Sequence, residues 1–457
     1  MATYEELRQR HLADAAALLP GMLERIEWPA ERLAAHRRTE LQRLVRVARE
    51  LSPWHRKRLS DVDPDEVDEA TLAELPVMTK DDLMAHFDEI VTDDRLRLDV
   101  VEAHLESLTT DAYLFDRYHA CASGGSSGRR GVFVYDWDGW SISYWSTLRY
   151  EVRAMRLDPQ LAAAPPRMAV VAAELVTHMT SSLAQTFSAP GAEWHRFPVT
   201  LPVDEMVAGL NAVQPTLLAG YPSALYALVH EARAGRLRIA PLRVYSGAEP
   251  LLPEIRAGLE ETWCAAVLNG YGASEGIGVA VSCGLGPGLH MSEDLYIVEP
   301  VDVAGRPAGS GVCCDKIYLT NLFNHALPLL RYEITDQLTL LDGPCPCGSV
   351  HQRIDDPHGR LDDSFDYGGV TVHPHVFRSP LGKRRQIIEY QVCQTPRGAE
   401  VAARSVGPVD IPALEVEIAG ELVRLGLPSP EVTVTAVERL ARQSSGKLKR
   451  FIPLAGR

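Results

Sequence analysis

Between residues 165 and 345 short apolar runs alternate with stretches of helical spacing, and this alternation limits the chain to few folds. The runs include Met168-Ala169-Val170-Val171-Ala172, Thr216-Leu217-Leu218-Ala219, Leu242-Arg243-Val244-Tyr245 and Ala265-Ala266-Val267-Leu268. Strands this continuously apolar need cover on both faces, and the helices between them supply it. A largely parallel α/β sheet is therefore predicted. At 457 residues the chain is too long for one core. Gly, Pro, Asp and Cys cluster over 341–364, in Asp342-Gly343-Pro344 and Asp355-Asp356-Pro357-His358-Gly359, which is linker composition. The expected fold is α/β, with a large N-terminal domain over 1–359 and a small α+β domain over 360–457. Roughly the first 100 residues read as helical, with apolar positions three and four apart between Arg37 and Leu59. Thr79 reads as the N-cap of a further helix after Leu75-Pro76. In the small domain, Val432-Thr433-Val434-Thr435-Ala436-Val437 alternates as a half-buried strand does.

Charge and cysteine usage narrow the function. The formal charge of −15 repels nucleic acid but leaves room for a small anion in a locally basic pocket. No run of about 18 apolar residues is present, so no membrane span is expected. Met1-Ala2-Thr3-Tyr4-Glu5-Glu6 is acidic where a signal peptide would be basic and then apolar. The eight cysteines are scattered, which favours reduced thiols or a metal site over disulfides and points to the cytoplasm.

The stretch Ser123-Gly124-Gly125-Ser126-Ser127-Gly128-Arg129-Arg130-Gly131 brings glycines, hydroxyls and guanidinium groups together. Glycines reach positive φ and present N–H groups to an anion, while the other side chains add donors and charge. A Walker A loop would need Gly-Lys-Ser/Thr opening a helix. Here Val132-Phe133-Val134-Tyr135 reads as a strand instead. The plain alternative is a Ser/Gly turn. Further along, Ser246-Gly247-Ala248-Glu249-Pro250 lies between a strand and a helix from Glu254 to Trp263, at the strand end where open α/β sheets bind ligands. Asn269-Gly270-Tyr271-Gly272-Ala273-Ser274-Glu275-Gly276 follows the next strand in the same way. Tyr271 can stack on a base and Glu275 can hold a divalent cation, though Tyr271 also reads as an ordinary core aromatic. Asp336, closing Leu327-Pro328-Leu329-Leu330-Arg331-Tyr332-Glu333-Ile334-Thr335-Asp336, suits two ribose hydroxyls or an ordinary turn. Lys447 lies in Ser444-Ser445-Gly446-Lys447-Leu448, where the alternative is a solvated tail lysine.

In order and spacing this set resembles the adenylate-forming superfamily of acyl-CoA synthetases, adenylation domains and luciferases. It is most similar to the phenylacetate–CoA ligase branch. Leu41-Gln42-Arg43-Leu44, Leu51-Ser52-Pro53-Trp54-His55 and the segment from Leu75 to Leu83 resemble that branch's opening, and Gly359-Arg360-Leu361-Asp362-Asp363 resembles its hinge. Where many relatives have Pro-Lys after the loop this chain has Arg130-Gly131. Where relatives often have Thr and Gly before the aspartate it has Ile334-Thr335.

The resemblance implies that a small, aromatic carboxylic acid and ATP give an acyl-adenylate, which passes to a thiol. That thiol is coenzyme A or the phosphopantetheine of an acyl carrier protein. It implies Ser123, Ser126, Ser127 and Gly128 at the β- and γ-phosphates. Gly247, Ala248, Glu249, Tyr271 and Gly272 would lie at the adenine, and Ser274 and Glu275 at the α-phosphate and Mg²⁺. Asp336 would hold the ribose with Arg360 beside it, and Lys447 would carry the catalytic charge. His178, Tyr245, Ser246 and Gly270 would line the acid pocket, and Asp362 would be the hinge of a mobile small domain. A homodimer is the assembly it allows. The readings left open beside it are transfer to an amine, and a non-catalytic nucleotide-binding protein on the same fold.

Cys283 and His290 lie just after the Tyr-Gly segment, and Cys345-Pro346-Cys347-Gly348 just after Asp336. If those strands are neighbours, three sulfurs and one imidazole could close a tetrahedron around zinc. Cys313, Cys314 and His351 are reserve ligands. The alternative is a set of buried or turn cysteines.

Overall fold

The computed structural model describes residues 3–123, 131–163, 167–172, 176–188, 193–360, 363–384, 386–443 and 446–454. They divide into two compact units. One comprises 1–165, 174–192 and 268–357; the other comprises 166–173, 193–267 and 358–457.

The first unit begins with helices whose ends are set by local capping. Thr3 and Glu6 form a reciprocal capping box at the start of helix Tyr4–Glu24. Ser52 caps Pro53–Arg58, which follows helix Ala30–Leu51. Thr79 caps Lys80–Ala85, and Asp82 returns the bond to Thr79 N–H at 2.8 Å. Leu41, Leu44, Val45 and Ala48 recur at helical spacing and are fully buried with Leu59 and Leu72. The Leu75–Thr79 stretch is drawn across to the Arg331 segment. Met78 N–H donates to Arg331 C=O at 3.0 Å and Glu333 N–H to Met78 C=O at 2.8 Å.

Strands His119–Ala122 and Val132–Tyr135 pair antiparallel, His119 opposite Tyr135 and Ala122 opposite Val132. They lead into and out of the Ser/Gly stretch. Its base is closed by Ser123 N–H to Gly131 C=O at 2.9 Å and Gly131 N–H to Ser123 Oγ at 2.8 Å. Strands Gly276–Val281, Leu289–Met291, Arg353–Ile354 and Leu340–Leu341 follow one another in antiparallel pairs, and residues 268–273 pair antiparallel with Gly276–Val281. From the Gly270–Val281 pair onward the pairing is antiparallel, which the parallel reading did not foresee. Asn269–Ala273 lies inside a strand that turns back as a hairpin, not in a loop before a helix. Strands Tyr296–Val301, Lys316–Asn321 and Tyr332–Ile334 form a second antiparallel sheet.

Helix Trp137–Leu157 packs on helix Tyr4–Glu24 and carries Arg149 into the interior. Arg149 and Asp294 side chains are both 0% exposed, and their two hydrogen bonds are both 2.7 Å long.

The second unit holds the parallel strands. Their order is Glu193–Pro198, Arg167–Ala172, Leu217–Gly220, Arg243–Gly247. Helices Val203–Val213 and Pro222–Arg233 connect three of them, Pro253–Trp263 follows the last, and all three share a core with Val171, Leu218 and Val244. Residues 358–457 add a four-stranded sheet in the order Glu431–Ala436, Gly398–Ser405, Ile387–Thr395, Phe451–Ile452. Helices His375–Gly382 and Ile411–Arg424 pack on it around Phe377, Leu414, Ile418 and Phe451.

The buried Arg149–Asp294 pair predicts a large mutational effect. Asp294→Asn leaves the guanidinium uncompensated and should cost about 3–5 kcal/mol, whereas replacing both residues by apolar ones of similar volume should cost less. Thermal melts of the single and double variants check this. Burial alone would lift the Asp294 carboxyl, but Arg149 beside it holds it well below the usual carboxylate range. Its contribution is therefore present above the unfolded carboxylate pKa and is lost as pH falls through the depressed folded value.

Candidate active site and metal centre

Within the first unit the Gly-Tyr-Gly strand brings several predicted residues together. Tyr271 Oη donates to Asp336 Oδ2 at 2.9 Å, and both residues are buried. The stacking residue and the ribose carboxylate of the sequence reading are thus direct neighbours, 65 positions apart in the chain. Gly272 has no room for a side chain, since a Cβ there would lie 2.9 Å from both Gly278 N and Ile277 Cα. That close approach lets the hairpin fold back, and Ser274 and Glu275 occupy its turn. The turn is held from two sides: Tyr135 Oη donates to Ser274 C=O at 2.7 Å and Asn321 Nδ2 to Glu275 C=O at 3.1 Å. His178 precedes helix Met179–Thr186, and Thr177 C=O accepts from Ala122 N–H at 3.0 Å, beside the base of the Ser/Gly stretch. Ser123 is at that base. Ser126, Ser127 and Gly128, with Arg129 and Arg130, lie outside the described residues, as does Asp362.

The second unit gathers the others. Strand Arg243–Gly247 delivers Tyr245, Ser246 and Gly247, and Ala248 follows at φ 65°, a left-handed conformation that is costly for a residue with a Cβ. Ser246 Oγ is buried with no hydrogen-bond partner among the described residues. Glu249 accepts from Ser223 N–H at 3.2 Å through Oε2 and from Leu448 N–H at 2.8 Å through Oε1. Lys447 lies in a turn closed by Gln443 N–H to Lys447 C=O at 3.0 Å and Gly446 N–H to Gln443 C=O at 2.8 Å. The Glu249 and Lys447 segments, almost two hundred positions apart, therefore meet. Arg360 ends the short strand Gly359–Arg360.

The four predicted metal ligands converge. Cys283 Sγ, His290 Nε2, Cys345 Sγ and Cys347 Sγ are all buried, and the candidate ligand atoms lie within 4.8 Å of one another. Cys283 Sγ is 3.6 Å from Cys345 Sγ, and Cys347 Sγ is 3.3 Å from His290 Nε2. In a tetrahedral zinc site the sulfur–sulfur edge is about 3.8 Å, so the donor set fits that ion. His290 Nδ1 donates to His351 C=O at 3.3 Å, which leaves Nε2 for the metal. Tyr150 stacks on the imidazole at 5.2 Å. Hydrogen bonds from Cys347 and His290 hold the Cys283 thiol far below its ordinary range. His351 supports His290 from outside the set, and Cys313 and Cys314 do not belong to it.

A family model described as AMP-binding enzyme matches residues 163–318. Over 407 residues the chain is 27% identical to the phenylacetate–coenzyme A ligase of Thermus thermophilus, covering 87% of this chain and 84% of that one. Over 390 residues it is 26% identical to the phenylacetate–coenzyme A ligase of Escherichia coli, covering 82% of each. A solved 2-hydroxyisobutyryl-CoA ligase in its postadenylation state has the same fold, with TM-score 0.71 at 19% identity over 94% of this chain and 91% of that one. Together these likenesses support an adenylate-forming superfamily assignment for the chain.

Within the superfamily it is phenylacetate–coenzyme A ligase-like. Several residues that shape this adenylate-forming enzyme's site carried no local signal. Tyr135 and Asn321 orient the Ser274–Glu275 turn from 139 and 46 positions away. Ser223 sits opposite Glu249 at the start of a helix whose pattern marks it only as amphipathic. The hairpin geometry makes a direct prediction. Gly272→Ala should destabilise the enzyme by about 1–3 kcal/mol, because backbone rather than a movable side chain stands in the way of the new methyl. A thermal melt and the KM for ATP check it together, and an unchanged melt would contradict the packing described.

Proposed function

We propose that this adenylate-forming enzyme activates a small aromatic carboxylic acid with ATP and transfers the acyl group to coenzyme A in the cytoplasm. In the first step a carboxylate oxygen attacks the α-phosphorus and pyrophosphate leaves. In the second the thiol sulfur attacks the acyl carbon and AMP leaves. What carries this reading is the meeting of the Lys447 turn with the Gly247–Glu249 turn, in a chain aligned over most of its length with phenylacetate–coenzyme A ligases.

The first step needs charge neutralisation and positioning more than covalent help. Ser123, Ser126, Ser127 and Gly128 are assigned to the departing phosphates, with Arg129 and Arg130 assisting. Tyr271, Gly272, Gly247, Ala248 and Glu249 are assigned to the adenine. Asp336 holds the ribose and already has the Tyr271 hydroxyl as one fixed partner. Arg360 sits beside the ribose. Ser274 and Glu275 are assigned to the α-phosphate and Mg²⁺, an ion that supplies charge for the leaving pyrophosphate. Lys447 stabilises the charge that builds between carboxylate and α-phosphate. His178, Tyr245, Ser246 and Gly270 are assigned to the acid, to which the buried Ser246 hydroxyl is a ready donor. The small domain, 360–457, turns about Asp362 between the steps.

The test is acid-dependent exchange of labelled pyrophosphate into ATP, run over a panel of aryl and alkyl acids. Exchange with aryl acids is expected, and Lys447→Ala should lower it about 100-fold or more. No exchange with any acid would favour a nucleotide-binding protein without activity. Exchange that persists in Lys447→Ala would remove that lysine from the mechanism. Adding coenzyme A or a loaded carrier protein then decides the acceptor.

Zinc is assigned to Cys283, His290, Cys345 and Cys347. A closed set of four protein ligands leaves no open position, so its role is structural. Metal analysis of the purified protein should find about one zinc per chain. Cys345→Ser with Cys347→Ser should lose it and lower the melting temperature. Protein that folds fully without zinc would overturn the assignment.

A further inference from the structure

We propose that Arg442 is a positioning residue for adenylation: with Glu249 it latches the turn that carries Lys447 to the start of helix Pro222–Arg233. The inference rests on the role given to Lys447 above and adds the groups that place it.

The turn is held on both sides. Before it, Arg442 Nη1 donates to Ser223 Oγ at 3.2 Å and to Gly446 C=O at 3.1 Å, while Nη2 donates to the Glu389 carboxylate. After it, Leu448 N–H donates to Glu249 Oε1 at 2.8 Å. The two points are joined to each other, since Ser223 N–H donates to the same Glu249 carboxylate at 3.2 Å. Ser223 and Glu389 are buried, so this is not a solvent-screened surface pair.

The partners of Arg442 divide in a telling way. Glu389 lies on strand Ile387–Thr395 and Gly446 in the turn itself, so both belong to the small domain and aim the guanidinium before it docks. Arg404 Nε, also in the small domain, donates to Glu389 at 3.0 Å and fixes the carboxylate. Only Ser223 and Glu249 lie outside that domain. Each of the two hydrogen bonds that reach them, Arg442 to Ser223 and Leu448 to Glu249, has one charged partner. Such bonds are strong enough to hold a turn in register and few enough to release when a domain swings. The Glu249 carboxylate, with both oxygens engaged here, acts in the latch as acceptor for the turn.

The experiment measures the two half-reactions separately in the full-length enzyme. Wild type, Arg442→Ala, Arg442→Lys, Ser223→Ala and Lys447→Ala are compared. Pyrophosphate exchange reads adenylation. Thioester formation from a chemically prepared acyl-adenylate and coenzyme A reads the second step. Arg442→Ala should lower exchange about 10- to 100-fold and Ser223→Ala about 10-fold, the scale set by losing a charge-assisted hydrogen bond. Arg442→Lys should fall between wild type and Arg442→Ala, because lysine keeps the charge without the fork. Thioester formation from the supplied adenylate should stay within about twofold of wild type in all three, since the latch is released for that step. An equal fall in both half-reactions would make Arg442 merely structural, and unchanged exchange in both Arg442 variants would remove the latch. Either result leaves the ligase assignment standing. Absence of exchange in wild type with every acid would overturn that assignment and the latch with it.

Discussion

The salt bridge between Arg149 and Asp294, with no exposed surface on either side chain, is the interaction on which the first unit depends. A buried ion pair is not a cheap source of stability, because both charges lose their hydration. It does specify a single arrangement, since a buried charge can accept almost no other partner. Asp294 lies in the short link between strands Leu289–Met291 and Tyr296–Val301, so the pair docks the long helix Trp137–Leu157 where the two antiparallel sheets join. The same link receives His36 Nε2 on Asp294 C=O at 3.2 Å, and His351 reaches Met291 C=O at 3.0 Å and Arg25 C=O at 3.2 Å. Through His351 and His290 this network runs into the cysteine cluster, so that the charged interior and the metal ligands share one framework.

The two units hold their candidate residues by different means. In the first unit the constraint is steric: Gly272 lacks the side chain that would push the hairpin strands apart, Gly278 lets helix Trp137–Leu157 approach at Ser146, and Tyr271 lies on Asp336. In the second it is electrostatic, the Glu249 carboxylate accepting a backbone N–H from the start of helix Pro222–Arg233 and another from Leu448.

Local signals in the sequence were read well where cause and effect are neighbours. Thr79 forms the cap expected of it, and Asp82 completes it because the two are three residues apart. Val132–Tyr135 is a strand, as its β-branched and aromatic run requires, and Glu431–Ala436 alternates in burial as its pattern does. The parallel reading was carried too far, into the hairpin that begins at Gly270, because an apolar run does not reveal which neighbour it will pair with. In the antiparallel part that choice belongs to Gly272 and the Ser274–Glu275 turn.

The sequence by itself determined the chemistry on offer: the carboxylates, the lysine beside a glycine, the thiols and one imidazole, and the order in which a known superfamily carries such groups. That information is local, because side-chain chemistry and short-range backbone preference do not depend on the rest of the chain. Only the tertiary structure decided who meets whom. Tyr271 and Asp336 are 65 residues apart, Cys283 and Cys345 are 62 apart, and Glu249 and Leu448 are 199 apart. A hydrogen bond or a metal edge tolerates only a few tenths of an ångström, and over such separations that accuracy comes from packed helices and paired strands.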